Sequence, residues 1–375
     1  MKLKKQSVAV IGCGMISPVY LNNLKHFNIT ELCACSDIIE DRTKERAKEY
    51  GIKASYNKEI FSDSDIKMIV NTTYPLSHYE IAKQALLSGK HVYTEKMVSE
   101  TVEQMDELID LADKKGLYFG GAPDTFLDAS SQLARQVIDA GLIGTPTVAQ
   151  AFLSRSYHHE RFYTGDYKRF AFCRHGGIIF DMGAYYLTEL IFLLGSITQV
   201  NGFAQIRDAE RKYLNPKCPL YGDDMTVESW NNITGSLKFS SGVLAAFTMT
   251  SEGGAGSNRF VIHGTDGMID LGDPNNFQGS IKIINKKGEE SILHSPFGFG
   301  TGDWRALGAA DALYAIKNRR KPRCSGELCR HVLEAALGIC ESSESGKTYT
   351  MRTKCERPEP FKAGYTEYPE LVLDL

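Results

Sequence analysis

Short apolar runs alternate with amphipathic segments through the first part of the chain. The runs have the pattern of buried strands, and the segments between them have helical periodicity. Thr101 and Gln104 form the Ser/Thr-x-x-Glu/Gln signal that starts a helix. This alternation predicts an α/β fold of the Rossmann type, with a doubly wound parallel sheet. We expect its strands at residues 8–11, 32–35, 67–73, 91–94 and 117–120, and its helices at 18–27, 40–50, 78–88 and 101–115.

The pattern changes near Pro123. After a predicted helix at residues 129–139, strand-like runs separated by glycine turns dominate, with little helix between them. A second, mostly antiparallel sheet is therefore expected, in an α+β domain. We place the two domains at residues 1–124 and 125–375. The predicted strands of the second domain are 147–154, 197–205, 231–239, 243–250, 260–263, 267–271 and 280–285, with later helices at 182–194, 304–318 and 327–342.

A glycine-rich turn joins the first predicted strand to the first helix. Gly12 and Gly14, with the small Ser17 in the third position, allow a tight turn in which main-chain amides approach a phosphate at the helix N-terminus. These glycines, together with Met15 and Ile16, are our predicted contacts to a dinucleotide. An ordinary strand–helix turn is the alternative interpretation.

Asp37 ends the second strand, about 20 residues past the turn, where the dinucleotide motif has an acid that accepts hydrogen bonds from the ribose hydroxyls. Its charge repels a ribose phosphate, so we expect NAD rather than NADP. The nearby Arg42 leaves NADP open, and a solvated helix cap is the alternative role of Asp37. Ligands bind such sheets at the carboxyl ends of the strands. The side chains that follow the other strand ends are further predicted cofactor contacts: Thr73, Pro75, His78, Glu95 and Lys96.

Lys96 is the first candidate for chemistry, because it follows a predicted parallel strand at the edge where ligands bind. Desolvation and a cationic nicotinamide ring both favour the neutral amine, so Lys96 is expected to act as a general base. Alcohol oxidation needs a base that removes the hydroxyl proton while hydride leaves the carbon. Glu95 would orient the lysine or the nicotinamide amide. A surface ion pair is the alternative.

Asp181 and Tyr185 are the second candidates. They are four residues apart, so they share one face if a helix begins there. Asp181 is expected to cap that helix and hold a substrate hydroxyl, and Tyr185 to bind the reacting oxygen or relay its proton. A helix cap beside a core tyrosine is the alternative.

A polar and aromatic loop, rich in hydrogen-bonding groups, precedes Asp181. Its candidate substrate contacts are Tyr157, His158, Arg174 and His175, and an ordinary solvated loop is the alternative. No carboxylate stands at ligand spacing from His158 and His159, so we predict no metal site.

Composition narrows the possible partners. The formal net charge of −3 gives no basic face for a nucleic acid, and no apolar run is long enough to span a bilayer. The nine cysteines are scattered, and several lie in predicted buried strands. Free thiols of this kind fit a reducing cytoplasm, where we expect the protein to act on a small molecule.

Taken together, the motifs resemble those of the Gfo/Idh/MocA superfamily, named for glucose–fructose oxidoreductase and inositol dehydrogenase. The likeness rests on the glycine turn, on Glu95-Lys96 after a strand, and on the Asp181-x-Gly183-x-Tyr185 element. It implies a Rossmann domain joined to an open antiparallel sheet that binds substrate and packs against other subunits, in a homodimer or homotetramer. Lys96 matches the family's catalytic lysine and Asp181 its substrate-orienting aspartate, while Tyr185 stands where many members have a catalytic histidine.

The expected function is therefore an NAD-dependent oxidoreductase that transfers hydride between nicotinamide and a secondary hydroxyl or keto group of a sugar, cyclitol or glycoside. Two alternatives stay open. One is redox-neutral, NAD-dependent glycoside cleavage, in which oxidation of the ring drives an elimination. The other is a non-catalytic NAD-binding regulator, which the absence of the histidine at position 185 leaves possible.

Overall fold

The computed structural model describes residues 4–164, 171 and 176–362, together with the backbone of 367–368 and 371–372. Its first layer is a six-stranded parallel sheet in the order β3-β2-β1-β4-β5-β6. The strands are β1 Gln6–Ile11, β2 Thr30–Ser36, β3 Lys53–Ala54, β4 Met68–Asn71, β5 His91–Thr94 and β6 Phe119–Gly121. The helices that connect them are α1 Ser17–His26, α2 Glu40–Tyr50, α3 Asn57–Ser62, α4 Pro75–Leu87 and α5 Val102–Lys115.

The second layer is a nine-stranded sheet in the order β16-β15-β14-β13-β7-β12-β11-β8-β17. Its neighbours are antiparallel except β7 and β12, which run parallel. The strands from β7 onward are β7 Pro146–Ser156, β8 Ile197–Gln205, β9 Glu210–Lys212, β10 Asp224–Thr226, β11 Asn232–Phe239, β12 Leu244–Thr250, β13 Glu252–Gly264, β14 Gly267–Asp270, β15 Ser280–Asn285, β16 Glu290–His294, β17 Tyr349–Thr350, β18 Glu367–Tyr368 and β19 Leu371–Val372. The later helices are α6 Ala129–Asp139, α7 His158–Phe162, α8 Ile178–Asp181, α9 Gly183–Leu194, α10 Leu307–Asn318 and α11 Gly326–Ser345.

Helix α11 joins the two layers, and α9 packs against it. Every residue of α9 is buried, as expected of a helix that is apolar on all sides. Helix α11 packs against β8 of the large sheet and against α5 and β6 of the parallel sheet. The carboxyl edge of the parallel sheet consequently faces the segment that carries Asp181.

One face of the large sheet is left open. Phe203, Leu244 and Val148 lie on this face, and cross-strand register places them on the same side. Phe203 is 78% exposed. The opposite side chains of β12, such as Phe247 and Met249, belong to the buried core.

The predicted fold class is confirmed, with differences at particular elements. Helix α4 begins at Pro75 rather than at residue 78, because proline occupies a first-turn position where no amide donor is needed. Strand β13 begins at Glu252 rather than at residue 260, since pairing with β7 supports its glycine-rich, exposed start. Strand β16, the short strands β3, β9, β10, β17, β18 and β19, and helices α3, α7 and α8 were not predicted. Within the part of the chain that is described, no helix is long and apolar enough to cross a membrane.

Candidate active site

Lys96 and Asp181 form an ion pair at the junction of the two layers. Lys96 follows β5, and Asp181 is the last residue of α8. The side chains are 12% and 4% exposed, and the Lys96 ammonium donates to Asp181 Oδ1. The two residues that sequence motifs single out are therefore brought into direct contact across the fold.

The second carboxylate oxygen of Asp181 faces the α7 segment. His159 Nε2 lies 3.1 Å from Oδ2, Tyr163 Oη donates to it at 3.2 Å, and His158 Nε2 lies 3.6 Å away. Burial alone would raise the pKa of Asp181, but Lys96 and the two imidazoles hold it well below its usual range. Asp181 is thus an ionised carboxylate with four polar neighbours.

This arrangement corrects two expectations. Asp181 does not cap α9: the N-cap position is Met182, and the Asp181 carboxylate is directed to Lys96 instead. Lys96 is not the expected neutral amine either. Burial lowers its pKa, as argued from the sequence, but Asp181, Tyr185 and Glu95 outweigh burial and raise the pKa above the ordinary value. Folding places the Asp181 carboxylate beside the Lys96 amine, and the expectation of a neutral amine did not include this charge.

Tyr185 lies between two cations. The Lys96 ammonium is 5.2 Å from the centroid of its ring, and the Arg305 guanidinium is 5.7 Å away. Arg305 Nη2 also donates to Tyr185 Oη at 3.4 Å and to Asn275 Oδ1 at 2.8 Å, while Nη1 pairs with Asp303 at 2.6 Å. Arg305 therefore fixes the Tyr185 phenol beside Lys96. No sequence motif predicted the contact between Arg305 and Tyr185.

The glycine turn fits a dinucleotide. Gly12 has φ +104°, and a Cβ there would lie 2.5 Å from the main chain of Thr72. A Cβ at Gly14 would meet no heavy atom within 4 Å, so this part of the turn has room for a phosphate. Asp37 Oδ2 accepts from the Cys13 amide at 2.7 Å, which holds the acid next to the turn. Met15 is exposed and Ile16 half-buried beside it.

Glu95 and His78 hold the loops around Lys96. Glu95 accepts from Tyr20 Oη at 2.5 Å and from the Lys96 amide at 2.9 Å, so it orients the lysine through the main chain. His78 is buried, with Nδ1 2.8 Å from the Met97 carbonyl and Nε2 3.0 Å from the Thr73 carbonyl. Both ring nitrogens face main-chain oxygens, and burial lowers the pKa of His78. His78 therefore joins two loops, and a contact between His78 and the cofactor stays a prediction.

Thr73 and Pro75 lie where the sequence places them, at the carboxyl end of β4. Thr73 Oγ1 donates to Asn71 Oδ1 at 2.7 Å, and Pro75 starts α4. Both residues are therefore fixed at the edge that carries Lys96.

The predicted substrate loop is only partly gathered at this site. His158 is next to Asp181, but the ring of Tyr157 lies under Arg211, whose guanidinium is 5.5 Å from the ring centroid. Arg211 in turn forms buried ion pairs with Glu160, at 2.6 Å, and with Glu252. Tyr157 thus packs on an ion cluster, and its contact with a substrate stays a prediction. Arg174 and His175 lie outside the described residues.

Tyr163 was missed as a site residue, and His159 belongs to the polar loop before Asp181 but was not among the predicted substrate contacts. The available signal was the run of aromatic and imidazole side chains before Asp181, but spacing along the chain does not show which of them turn toward the carboxylate. In the described part of the chain, no group of three or more His, Cys, Asp or Glu side chains is arranged to hold a metal ion.

Comparison with known proteins defines the class. The model of the oxidoreductase family GFO_IDH_MocA, with its NAD-binding Rossmann fold, matches residues 6–122, and that of the GFO/IDH/MocA C-terminal domain matches residues 131–270. The chain belongs to this family of NAD-binding oxidoreductases, which confirms the resemblance drawn from the motifs.

The sequence identities to individual relatives are low. The chain spans less than half the length of the first curated relatives that it matches, such as myo-inositol 2-dehydrogenase of Thermotoga maritima, which is 26% identical over 38% of this chain and 43% of its own. The 1,5-anhydro-D-fructose reductase of Ensifer adhaerens is 24% identical over 82% of this chain and 87% of its own. An NAD binding oxidoreductase from Klebsiella pneumoniae has the same fold, with a TM-score of 0.80 at 19% identity over 92% of this chain and 98% of its own.

Proposed function

We propose that this protein is an NAD-dependent dehydrogenase or reductase that acts on a secondary hydroxyl or keto group of a sugar, cyclitol or glycoside. The observation that carries the proposal is the contact between Lys96 and Asp181 at the carboxyl edge of a nucleotide-binding sheet. The names of the relatives support the substrate class, since they include an inositol dehydrogenase and an anhydrofructose reductase.

The glycine turn and Asp37 would hold the nucleotide. Main-chain amides at Gly14 and Met15 would contact its phosphates at the start of α1. The Asp37 carboxylate would accept from the ribose hydroxyls and repel a ribose phosphate, which favours NAD over NADP. When bound, the nicotinamide supplies the hydride acceptor or donor of the reaction.

Lys96 would hold the reacting oxygen of the substrate. Its ammonium stabilises the negative charge that develops on this oxygen and donates a proton when a carbonyl is reduced. Asp181 keeps the amine charged and in place, and Tyr185 offers a second hydrogen bond to the same oxygen. Lys96, Asp181 and Tyr185 are our proposed catalytic residues, and His158 is a proposed substrate contact.

A substrate panel tests this proposal. Sugars, cyclitols and glycosides would be supplied with NAD⁺ or NADP⁺, and the reduced nucleotide followed by its absorbance. We expect at least one polyol to be oxidised with NAD⁺ in preference to NADP⁺. Nucleotide binding without any hydride transfer across the panel would contradict the proposal, and so would product formation from a glycoside with no accumulation of NADH.

We further propose that the protein forms a homodimer or homotetramer through the open face of the large sheet. Phe203 is the most exposed large apolar side chain of this face, and such patches mark protein interfaces. Phe203→Asp is expected to lower the mass measured by light scattering during size-exclusion chromatography. A monomeric wild type, or an unchanged mass in the variant, would contradict this assembly.

A further inference from the structure

Asp181 connects the buried Lys96 to the outer side of the site. Its Oδ1 pairs with the ammonium, and its Oδ2 faces α7. The His158 side chain there is 18% exposed, whereas that of His159 is 1% exposed. The His158 ring stacks on Phe162, which is itself exposed, with the two centroids 5.4 Å apart. His158 therefore lies between the buried carboxylate and the surface.

The proposed oxidation needs such a connection. Removing hydride from an alcohol carbon also releases the hydroxyl proton, which must leave the protein in each turnover. Lys96 already carries its full complement of protons, because Asp181 stabilises the ammonium. An ammonium can accept a proton only if it passes one on at the same time. Asp181 is the acceptor in direct contact with it.

We propose that the proton released by the substrate leaves the site along the path Lys96, Asp181, His158 and solvent; the inference rests on the proposed oxidoreductase function. The substrate O–H bond breaks as its proton joins Lys96 Nζ, while a proton of Nζ moves to Asp181 Oδ1. A half-turn of the carboxyl group about its Cβ–Cγ bond then brings the protonated oxygen to His158. The proton passes to His158 Nε2, and the imidazolium loses a proton from Nδ1 to water. The two electrons of the C–H bond leave as hydride to the nicotinamide, so charge and atoms balance.

Among the neighbours of Asp181, His158 is better placed than His159 or Tyr163 to pass a proton to solvent. His159 is closer to Oδ2 but fully buried, with its ring stacked on Tyr163 at 5.7 Å, so it has no direct contact with solvent. Tyr163 donates to the same oxygen, but a phenol releases its proton far less readily than an imidazole at neutral pH. An imidazole both accepts and releases protons in this range. The 3.6 Å from His158 Nε2 to Oδ2 is only a few tenths of an ångström beyond hydrogen-bond length.

The test is His158→Asn in the wild-type background, with His294→Asn as the matched control because His294 is an exposed histidine on the edge strand β16. Turnover of a polyol found with the panel is measured at low buffer concentration and again with added imidazole. We expect His158→Asn to lower kcat about tenfold or more, within the range of proton-transfer effects, and imidazole to restore most of the loss. The solvent deuterium isotope effect on kcat should rise in the variant, while NAD⁺ affinity stays within about twofold of wild type.

The possible outcomes distinguish a failure of the proton path from a failure of the proposed dehydrogenase function. An unchanged kcat in His158→Asn contradicts the path and leaves the dehydrogenase standing. A loss of kcat that imidazole does not restore, or one that comes with weaker nucleotide binding, assigns His158 a structural role and also overturns the path. A wild type without turnover on any polyol contradicts the proposed function itself. His159→Asn provides a second comparison, since added imidazole should not rescue the loss of a buried ring.

Discussion

At the scale of single residues, the charge of Lys96 depends on Asp181, which lies across the junction of the two layers. Burial favours the neutral amine and the Asp181 carboxylate favours the ammonium, and the carboxylate prevails. In the proposed reaction this ammonium would donate a proton to a carbonyl and a hydrogen bond to an alkoxide. Arg305 holds the Tyr185 phenol beside the same ammonium.

Asp181→Asn tests this dependence. Without the carboxylate, burial dominates and the pKa of Lys96 falls. In the reductive direction the ammonium is the proton donor, so the rate is lost as pH rises through the Lys96 pKa. We expect this loss to begin at lower pH in the variant, together with a fall in kcat of about 100-fold or more. The pH profile of ketone reduction is the measurement, and melting temperatures check the fold. A profile that keeps its position on the pH axis would show that Asp181 does not set the charge of Lys96.

The order of residues along the chain was sufficient to nominate Lys96 and Asp181 but not to describe their surroundings. Lys96 follows a parallel strand, so its place at the carboxyl edge could be predicted. Asp181 was recognised by its motif, but it was expected to cap a helix. The positions of His159, Tyr163 and Arg305 depend on how α7 and the segment before α10 pack, which local periodicity does not contain. His78 shows the same limit, because its two carbonyl partners come from separate loops.

At the scale of elements, the turn from β1 to α1 has two glycines with different roles. Gly12 combines a positive φ with a close approach to the main chain of Thr72, whereas Gly14 has neither a positive φ nor a close neighbour. The first glycine is therefore required by the fold, and the second leaves room for a ligand.

Gly12→Ala and Gly14→Ala form a matched pair. At Gly12 a methyl group would collide with the β4–α4 loop, so we expect a loss of stability on the order of 2 kcal/mol or more, together with lost nucleotide binding. At Gly14 we expect an unchanged melting temperature but weaker NAD⁺ binding, because the methyl fills the space for the phosphate. Thermal unfolding and titration calorimetry measure the two effects. Equal losses of stability in both variants would contradict this division of roles.

Strands and helices with strong local signals were predicted closely, and those supported mainly by pairing were not. Helix α2 and strands β5, β8 and β15 have the predicted bounds. Helix α2 is strongly charged, and Gly51 marks its end. The start of β13 is polar and rich in glycine, so only its register with β7 makes it a strand. The parallel pairing of β7 with β12 could not be predicted from the sequence either, since it depends on the strand order of the whole sheet.

At the scale of the whole molecule, a buried carboxyl links the two layers. Asp124 follows β6, and its Oδ2 accepts from the Gly308 amide in the first turn of α10 at 2.9 Å. Burial raises the pKa of Asp124 to about 6. Its proton is therefore bound more tightly in the folded protein than in the unfolded chain.

This shift predicts how stability depends on pH. The stability that protonated Asp124 contributes is present below the unfolded pKa near 4 and is lost as pH rises through about 6. Asp124→Asn keeps a hydrogen-bond acceptor for Gly308 but cannot ionise. Relative to wild type, the variant should gain free energy of unfolding on the order of 2 kcal/mol between pH 4 and pH 7. Urea unfolding across this interval measures the difference. A constant difference between the two proteins would contradict an elevated Asp124 pKa.

The central claim is that the Lys96 ammonium takes part in hydride transfer to or from a nucleotide held by the glycine turn. The most direct measurement is NADH formation by Lys96→Met with the best polyol of the panel, alongside calorimetric binding of NAD⁺. The account predicts a fall in kcat of about 10²–10⁴-fold while NAD⁺ affinity stays within about threefold of wild type. Full activity in Lys96→Met would contradict it.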